Sequence, residues 1–76
     1  MISACMLIRT EAGKFEKVAD NLDQILEVKK AFPVIGRFDV VVDLEASDHK
    51  ALAKIVMRVN RLAGVVYTET LTEVEG

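Results

Sequence analysis

Apolar positions recur along this chain in two rhythms, one of period two and one near 3.6, and their succession predicts the elements. In residues 2–9, Ile2, Ala4, Met6 and Ile8 fall on one side of an extended chain, and Ser3, Cys5, Leu7 and Arg9 on the other. Both sides are largely apolar, which predicts a central strand covered by helices on one face and by another subunit on the other. After Glu11-Ala12-Gly13, the residues Phe15, Val18, Ala19, Leu22 and Ile25 follow the spacing of an amphipathic helix, with Lys14, Glu16, Lys17, Asp20 and Asp23 mostly outward as a solvated face. Gly13 is the expected N-cap, which puts Glu16 at the third helical position. Residues 28–35 predict a second strand interrupted by Pro33, which has no N–H for a ladder and so belongs at a sheet edge or a bulge.

Val40, Val42 and Leu44 then alternate with Asp39, Val41, Asp43 and Glu45 in a third strand. Asp48 can accept the free N–H groups of a helix's first turn, and Leu52, Ile55, Val56, Val59 and Leu62 recur at helical spacing behind it until Gly64. Residues 65–74, rich in Val and Thr, supply a fourth strand, and the pattern leaves open which of its sides meets the helices. The order βαββαβ predicts one α+β domain over residues 1–76. It is a ferredoxin-like sandwich, a four-stranded antiparallel sheet in the order 4-1-3-2 with two helices on one face. That order places Pro33 on an edge strand and the two most apolar strands in the middle.

Composition sharpens this picture. A chain of 76 residues can hide only about 60% of its unfolded surface, yet 51% of this one is apolar and only 5% aromatic. An aliphatic core with a second face left to bury points to self-association. The net charge of −2 and the scattered lysines and arginines give no general attraction to phosphate backbones, so no direct contact with nucleic acid is expected. Cys5 stands alone, which excludes an internal disulfide and a multi-cysteine metal site, and reads as a small apolar strand residue in a reducing compartment. No run reaches the roughly 18 apolar residues of a membrane span, and no secretory signal opens the chain, so a cytoplasmic protein away from membranes is expected.

The residues that could carry chemistry are few. His49 is the only histidine and has no companion at metal-ligand spacing, so it reads as an exposed first-turn residue rather than a base or a ligand. Asp39, Asp43 and Glu45 share a strand face, but nothing makes two of them converge on a substrate. Phosphate-cradling glycine loops and Cys-x-x-Cys pairs are missing from the sequence. A small zwitterionic ligand uses the residues more economically. Its ammonium wants a carboxylate, for which Asp39 is the natural partner, while its carboxylate wants donors, which the Gly36 and Arg37 backbone and the Thr68 and Thr70 hydroxyls could provide. Each also has an architectural reading: Gly36 as a turn residue, Asp39 as a hairpin cap, the threonines as ordinary strand residues.

Two segments carry a family resemblance: Val34-Ile35-Gly36-Arg37-Phe38-Asp39-Val40-Val41-Val42-Asp43-Leu44-Glu45, and Gly64-Val65-Val66-Tyr67-Thr68-Glu69-Thr70. A glycine turn with Phe-Asp before a valine-rich strand, and a closing Gly-Val followed by Thr-Glu-Thr, resemble the effector-binding (RAM) domain of the Lrp/AsnC transcriptional regulators. The resemblance implies a ferredoxin-like domain that dimerises through its sheet, assembles into rings of dimers, and binds an amino acid or related metabolite near contacts between dimers. Carried over by position, the ligand-binding residues would be Val34, Gly36, Arg37, Phe38, Asp39, Thr68, Glu69 and Thr70, with no catalytic residue, cofactor or metal.

Full-length members carry a helix-turn-helix domain ahead of this one, whereas here Met1 opens the first strand. A stand-alone form or an excised regulatory half is therefore expected, one that would act on transcription only indirectly, by joining DNA-binding Lrp/AsnC relatives. Two alternatives remain open at this stage. The same βαββαβ unit builds small dimeric α/β-barrel enzymes such as cofactor-independent oxygenases or isomerases, which would need an enclosed cavity between sheet and helices lined by a group such as His49 or Tyr67. A ligand-free oligomerisation module is the other.

Overall fold

A computed structural model of the chain describes residues 1–74. The elements are β1 (Ile2–Thr10), α1 (Phe15–Asp23), β2 (Val28–Pro33), β3 (Val40–Ala46), α2 (His49–Asn60) and β4 (Val65–Thr72). All sheet pairings are antiparallel and the strand order is β2-β3-β1-β4, the expected ferredoxin-like arrangement. Pro33 falls on the edge strand, opposite Val40, where the missing N–H leaves no ladder partner stranded.

The strand alternation sets the two faces of the sheet. Met6 and Ile8 on β1 lie in register with Val42 and Val40 on β3, and all four are buried against the helices. Val18 and Leu22 from α1 and Val59 from α2 close on them, and these seven side chains have no solvent contact. Burying each such side chain contributes on the order of 1.5–3 kcal/mol. Thr68 and Thr70 sit opposite Ile8 and Met6, so they settle the side of β4 that the pattern left open: its threonines face the helix layer. The other face carries Leu7, Val41, Phe32, Tyr67 and Leu71, with Lys30, Asp43 and Glu69 among them, and no element among the described residues covers it.

The helix ends differ in how they are capped. Asp48 adopts an extended backbone and its Oδ1 accepts from Ala51 N at 2.8 Å, as its position before the second helix predicts. The first helix departs from expectation. Its N-cap is Lys14, which makes no side-chain cap bond, so Glu16 occupies the second helical position and not the third. Gly13, at φ +78°, instead forms the tight turn in which Lys14 N donates to Glu11 O at 3.0 Å. A left-handed residue inside that turn cannot also be the extended cap, so the helix starts one residue later.

Three further expectations shift. The second strand stops at Pro33 and the fourth at Thr72, short of residues 35 and 74. Phe15 is 37% exposed at the rim of the helix layer, although its spacing placed it with the core.

Candidate functional site

The chain folds back between β2 and β3 through Ile35, Gly36, Arg37 and Phe38. Val34 N donates to Asp39 O at 2.9 Å to close the loop, and Asp39 N donates to Ile8 O at 2.8 Å, tying the loop to the end of β1. Gly36 has φ +142°, a conformation that side chains rarely adopt, and a Cβ built there would meet nothing within 4 Å. Glycine is therefore required by the backbone and not by crowding.

Asp39 is anchored. Its Oδ2 accepts from Thr10 N at 2.8 Å and lies 3.4 Å from the Thr10 hydroxyl, and both contacts fall on this one oxygen. Among the described residues no donor reaches Oδ1. Beside it opens a hollow of about 910 Å³ lined by Phe15, Pro33, Val34, Ile35, Gly36 and Asp39. Its walls are mostly apolar, Ile35 projects fully into solvent, and the outer side is open.

The hairpin's remaining residues turn elsewhere. Arg9 donates through Nε and Nη2 to the Arg37 carbonyl at 3.2 and 3.0 Å, and its guanidinium lies 5.9 Å from the centre of the Phe38 ring. Phe38 in turn stacks on Tyr67 of β4, with ring centres 6.4 Å apart and planes 19° from parallel. The candidate residues thus divide. Val34, Gly36 and Asp39 share the hollow; the Arg37 carbonyl and the Phe38 ring belong to a cluster with Arg9 and Tyr67 at the end of the uncovered sheet face. Thr68, Glu69 and Thr70 lie on β4, separated from β3 by β1, and none lines the hollow of its own chain. The Thr68 hydroxyl donates to Asn60 Oδ1 at 2.6 Å, while Glu69 projects from the opposite face.

Phe15, Pro33 and Ile35 complete the lining, although the sequence placed none of them at the site and used Phe15 as a core position and Pro33 as an edge-strand marker. Phe15 carried a signal, since an aromatic at the first position of a helix has no preceding turn to cover it. Thr10, 29 residues from Asp39, carried none.

Two other features bear on chemistry. Cys5 lies on the uncovered sheet face, where burial, and then the nearby Asp43 carboxylate, push its thiol pKa up and so disfavour the thiolate. His49 lines a surface hollow of about 500 Å³ with Ser3, Thr72 and Glu73, exposed or half-buried residues outside the sheet–helix interior. That interior is filled by aliphatic side chains, with no buried polar residue among those described. An enzyme of the α/β-barrel kind would place its polar catalytic group there. No three His, Cys, Asp or Glu side chains among the described residues come together as metal ligands, and no helix among them is long and apolar enough to cross a membrane.

The arrangement matches known proteins throughout its length. Residues 3–75 fit the family model described as the Lrp/AsnC ligand binding domain. The HTH-type transcriptional regulator FL11 of Pyrococcus furiosus is 30% identical over 70 residues, covering 92% of this chain and 46% of that protein. The chain thus spans about half the length of the curated relatives it matches.

Among solved structures, the hypothetical protein PHS023 from Pyrococcus horikoshii superposes with a TM-score of 0.92 at 28% identity, covering 100% of this chain and 93% of its own. TTHA0845 from Thermus thermophilus does so with a TM-score of 0.94 at 27% identity, covering 100% and 96%. The hairpin turn, the valine-rich strand behind it and the sheet order all lie within the matched region, and the chain belongs to the Lrp/AsnC family of transcriptional regulators, as its ligand-binding domain.

Proposed function

We propose that this domain binds a free amino acid or a related metabolite at the β2–β3 hairpin and couples that binding to self-association. It performs no reaction. In a cytoplasmic setting it modulates transcription indirectly, by joining DNA-binding Lrp/AsnC relatives through the surface it uses to join copies of itself. The observation that carries this reading is the half-built hollow, in which a carboxylate with one oxygen fixed by Thr10 and one unengaged stands beside an apolar recess with an open outer side.

A ligand ammonium would pair with Asp39 Oδ1, and its carboxylate with the peptide N–H groups of Gly36 and Arg37. Phe15, Pro33, Val34 and Ile35 offer an apolar wall that suits an aliphatic side chain. The missing wall would come from the β4 edge of another copy, which carries Thr68 and Thr70 on one side of the strand and Glu69 on the other. The uncovered sheet face, with Leu7, Val41, Phe32, Tyr67 and Leu71, supports a homodimer through the sheet, because an apolar patch of this kind is seldom left to water. A hollow completed only by assembly links the two events: ligand favours the larger particle, and assembly raises affinity.

The test is a panel of the common amino acids in melting and mass measurements. A ligand at about 100 times its Kd adds about 2.7 kcal/mol to the competent state, which raises the Tm by roughly 10–20 °C in a domain of this size. Asp39→Asn keeps an acceptor for Thr10 N while removing the charge, so it should fold and fail to respond. If no amino acid moves either the Tm or the particle mass in the millimolar range, the domain is an oligomerisation module without a ligand.

A further inference from the structure

The lysines and arginines look dispersed along the sequence, but the fold collects four of them. Between His49 and Gly64 the chain has Lys50, Lys54, Arg58 and Arg61 and no acidic residue. All four are exposed, and their spacing of 4, 4 and 3 puts them in one stripe on the side of α2 opposite the buried Leu52, Ile55 and Val59. Met57, 53% exposed, sits within that stripe and lines a shallow hollow with Lys54, Arg58 and Arg61. The outward side of α1 is its counterpart. Glu16, Asp20 and Asp23 are all exposed, at spacings of 4 and 3, in one stripe along a flank of the helix beside the buried Val18, Ala19 and Leu22. Lys17 is also exposed on the outward side, about 60° around the helix from Asp20, and the three carboxylates leave that side net acidic.

The helices run antiparallel. Glu11 N, just before α1, donates to Gly64 O, just after α2, at 2.8 Å, and Gly64 lies against Lys14 and Val18. So α1 starts where α2 ends, with Glu16 and Arg61 at the same end of the layer. At 1.5 Å per residue, Glu16 to Asp23 and Lys54 to Arg61 each span about 10 Å.

The geometry points to a contact through the helix layer between two copies of this chain, with the acidic stripe of α1 in each copy lying on the basic stripe of α2 in the other. A two-fold axis parallel to the helices, between the layers, brings this about. It sets α1 of the second copy antiparallel on α2 of the first, Glu16 near Arg58 and Arg61 and Asp23 near Lys50 and Lys54, and repeats the pairing on the other side. An in-plane axis across the helices would put acid on acid and base on base, so charge selects one orientation.

A nucleic acid fits this layer less well, because the acidic stripe of α1 would face the same phosphates that the α2 stripe attracts. The contact lies on the side of the sheet away from the uncovered face, so both can form in one particle. It also runs beside the hairpin hollow, since Phe15 lines that hollow and Glu16 follows it. It does not need the hairpin to bind anything.

Exposed ion pairs are individually weak and screened by salt, which fixes the test. Sedimentation velocity of the full chain without amino acids should show a mass at about 0.05 M salt at least twice that at about 1 M, where the screening length falls to about 3 Å. Lys54→Glu with Arg58→Glu should weaken low-salt association at least about tenfold, and so should Glu16→Lys with Asp20→Lys.

Mixing the two double variants should restore the larger particle, because the first keeps its acidic α1 stripe beside a net-neutral α2 stripe and the second keeps its basic α2 stripe beside a net-basic α1 stripe, so only the mixture brings an acidic α1 stripe onto a fully basic α2 stripe. Circular dichroism confirms that each is folded; should a double variant fail to fold, Lys54→Glu and Asp20→Lys alone take its place in the mixture. An unchanged low-salt mass in either variant, or a mixture that does not associate, overturns the contact. Salt-sensitive binding of wild-type protein to duplex DNA, lost in Lys54→Glu with Arg58→Glu while the mass stays unchanged, overturns it in favour of phosphate recognition. None of these results bears on the melting response to amino acids.

Discussion

Asp39 joins the site to the scaffold, and replacing it separates two roles that coincide in one side chain. In Asp39→Ala the Thr10 N–H loses its 2.8 Å acceptor and the Thr10 hydroxyl its 3.4 Å neighbour, in part-buried surroundings at the end of β1. A hydrogen bond to an ionised acceptor is worth about 1.5–3 kcal/mol. Partial exposure lets water replace some of this, so the lower end applies, about 1.5 kcal/mol. At 4–8 °C per kcal/mol for a domain this small, the Tm should fall by about 6–12 °C. Asp39→Asn retains a neutral acceptor, roughly half as strong, and should lose about half as much.

The assay is a calorimetric or circular-dichroism melt at fixed protomer concentration, since association shifts the apparent stability. Amide exchange at Thr10 accompanies it. Protection of that single N–H should collapse in Asp39→Ala and persist in Asp39→Asn. An alanine variant that melts within about 1 °C of wild type, with Thr10 still protected, would show that the contact does not anchor the hairpin, and the assignment of one fixed and one free oxygen would fall with it.

Two further substitutions probe the frame that holds the site. Leu22→Ala removes a fully buried side chain of α1 packed over the β2–β3 side of the sheet, and should destabilise by about 2.7–5 kcal/mol in urea unfolding with an unchanged m-value. Gly64→Ala puts a Cβ at φ +93°, 3.1 Å from Val18 and 3.2 Å from Lys14. Backbone strain alone costs about 1 kcal/mol there, with the contact adding to it, so the melting point should drop by at least about 4 °C.

Much of the frame was legible in the sequence because its signals are short-range. Pro33 declares an edge strand through a missing N–H, the alternation of Val40, Val42 and Leu44 declares a half-covered strand, and Asp48 announces a helix by what its side chain can accept within three residues. The errors were local too. Gly13 serves a turn and not a cap, because one residue cannot supply both conformations, and Phe15 sits at a helix end where periodicity no longer implies burial.

What the sequence determined by itself is the order of elements, the aliphatic core they share and the glycine turn beside a carboxylate, since each depends on residues within a few positions of one another. Tertiary structure decided the rest. It tied Asp39 to Thr10 across 29 residues, turned Phe38 to Tyr67 and away from the hollow, and set Thr68 and Thr70 toward the helices. Those outcomes depend on which strands become neighbours and which helix faces are left outward, and only long-range packing supplies that information.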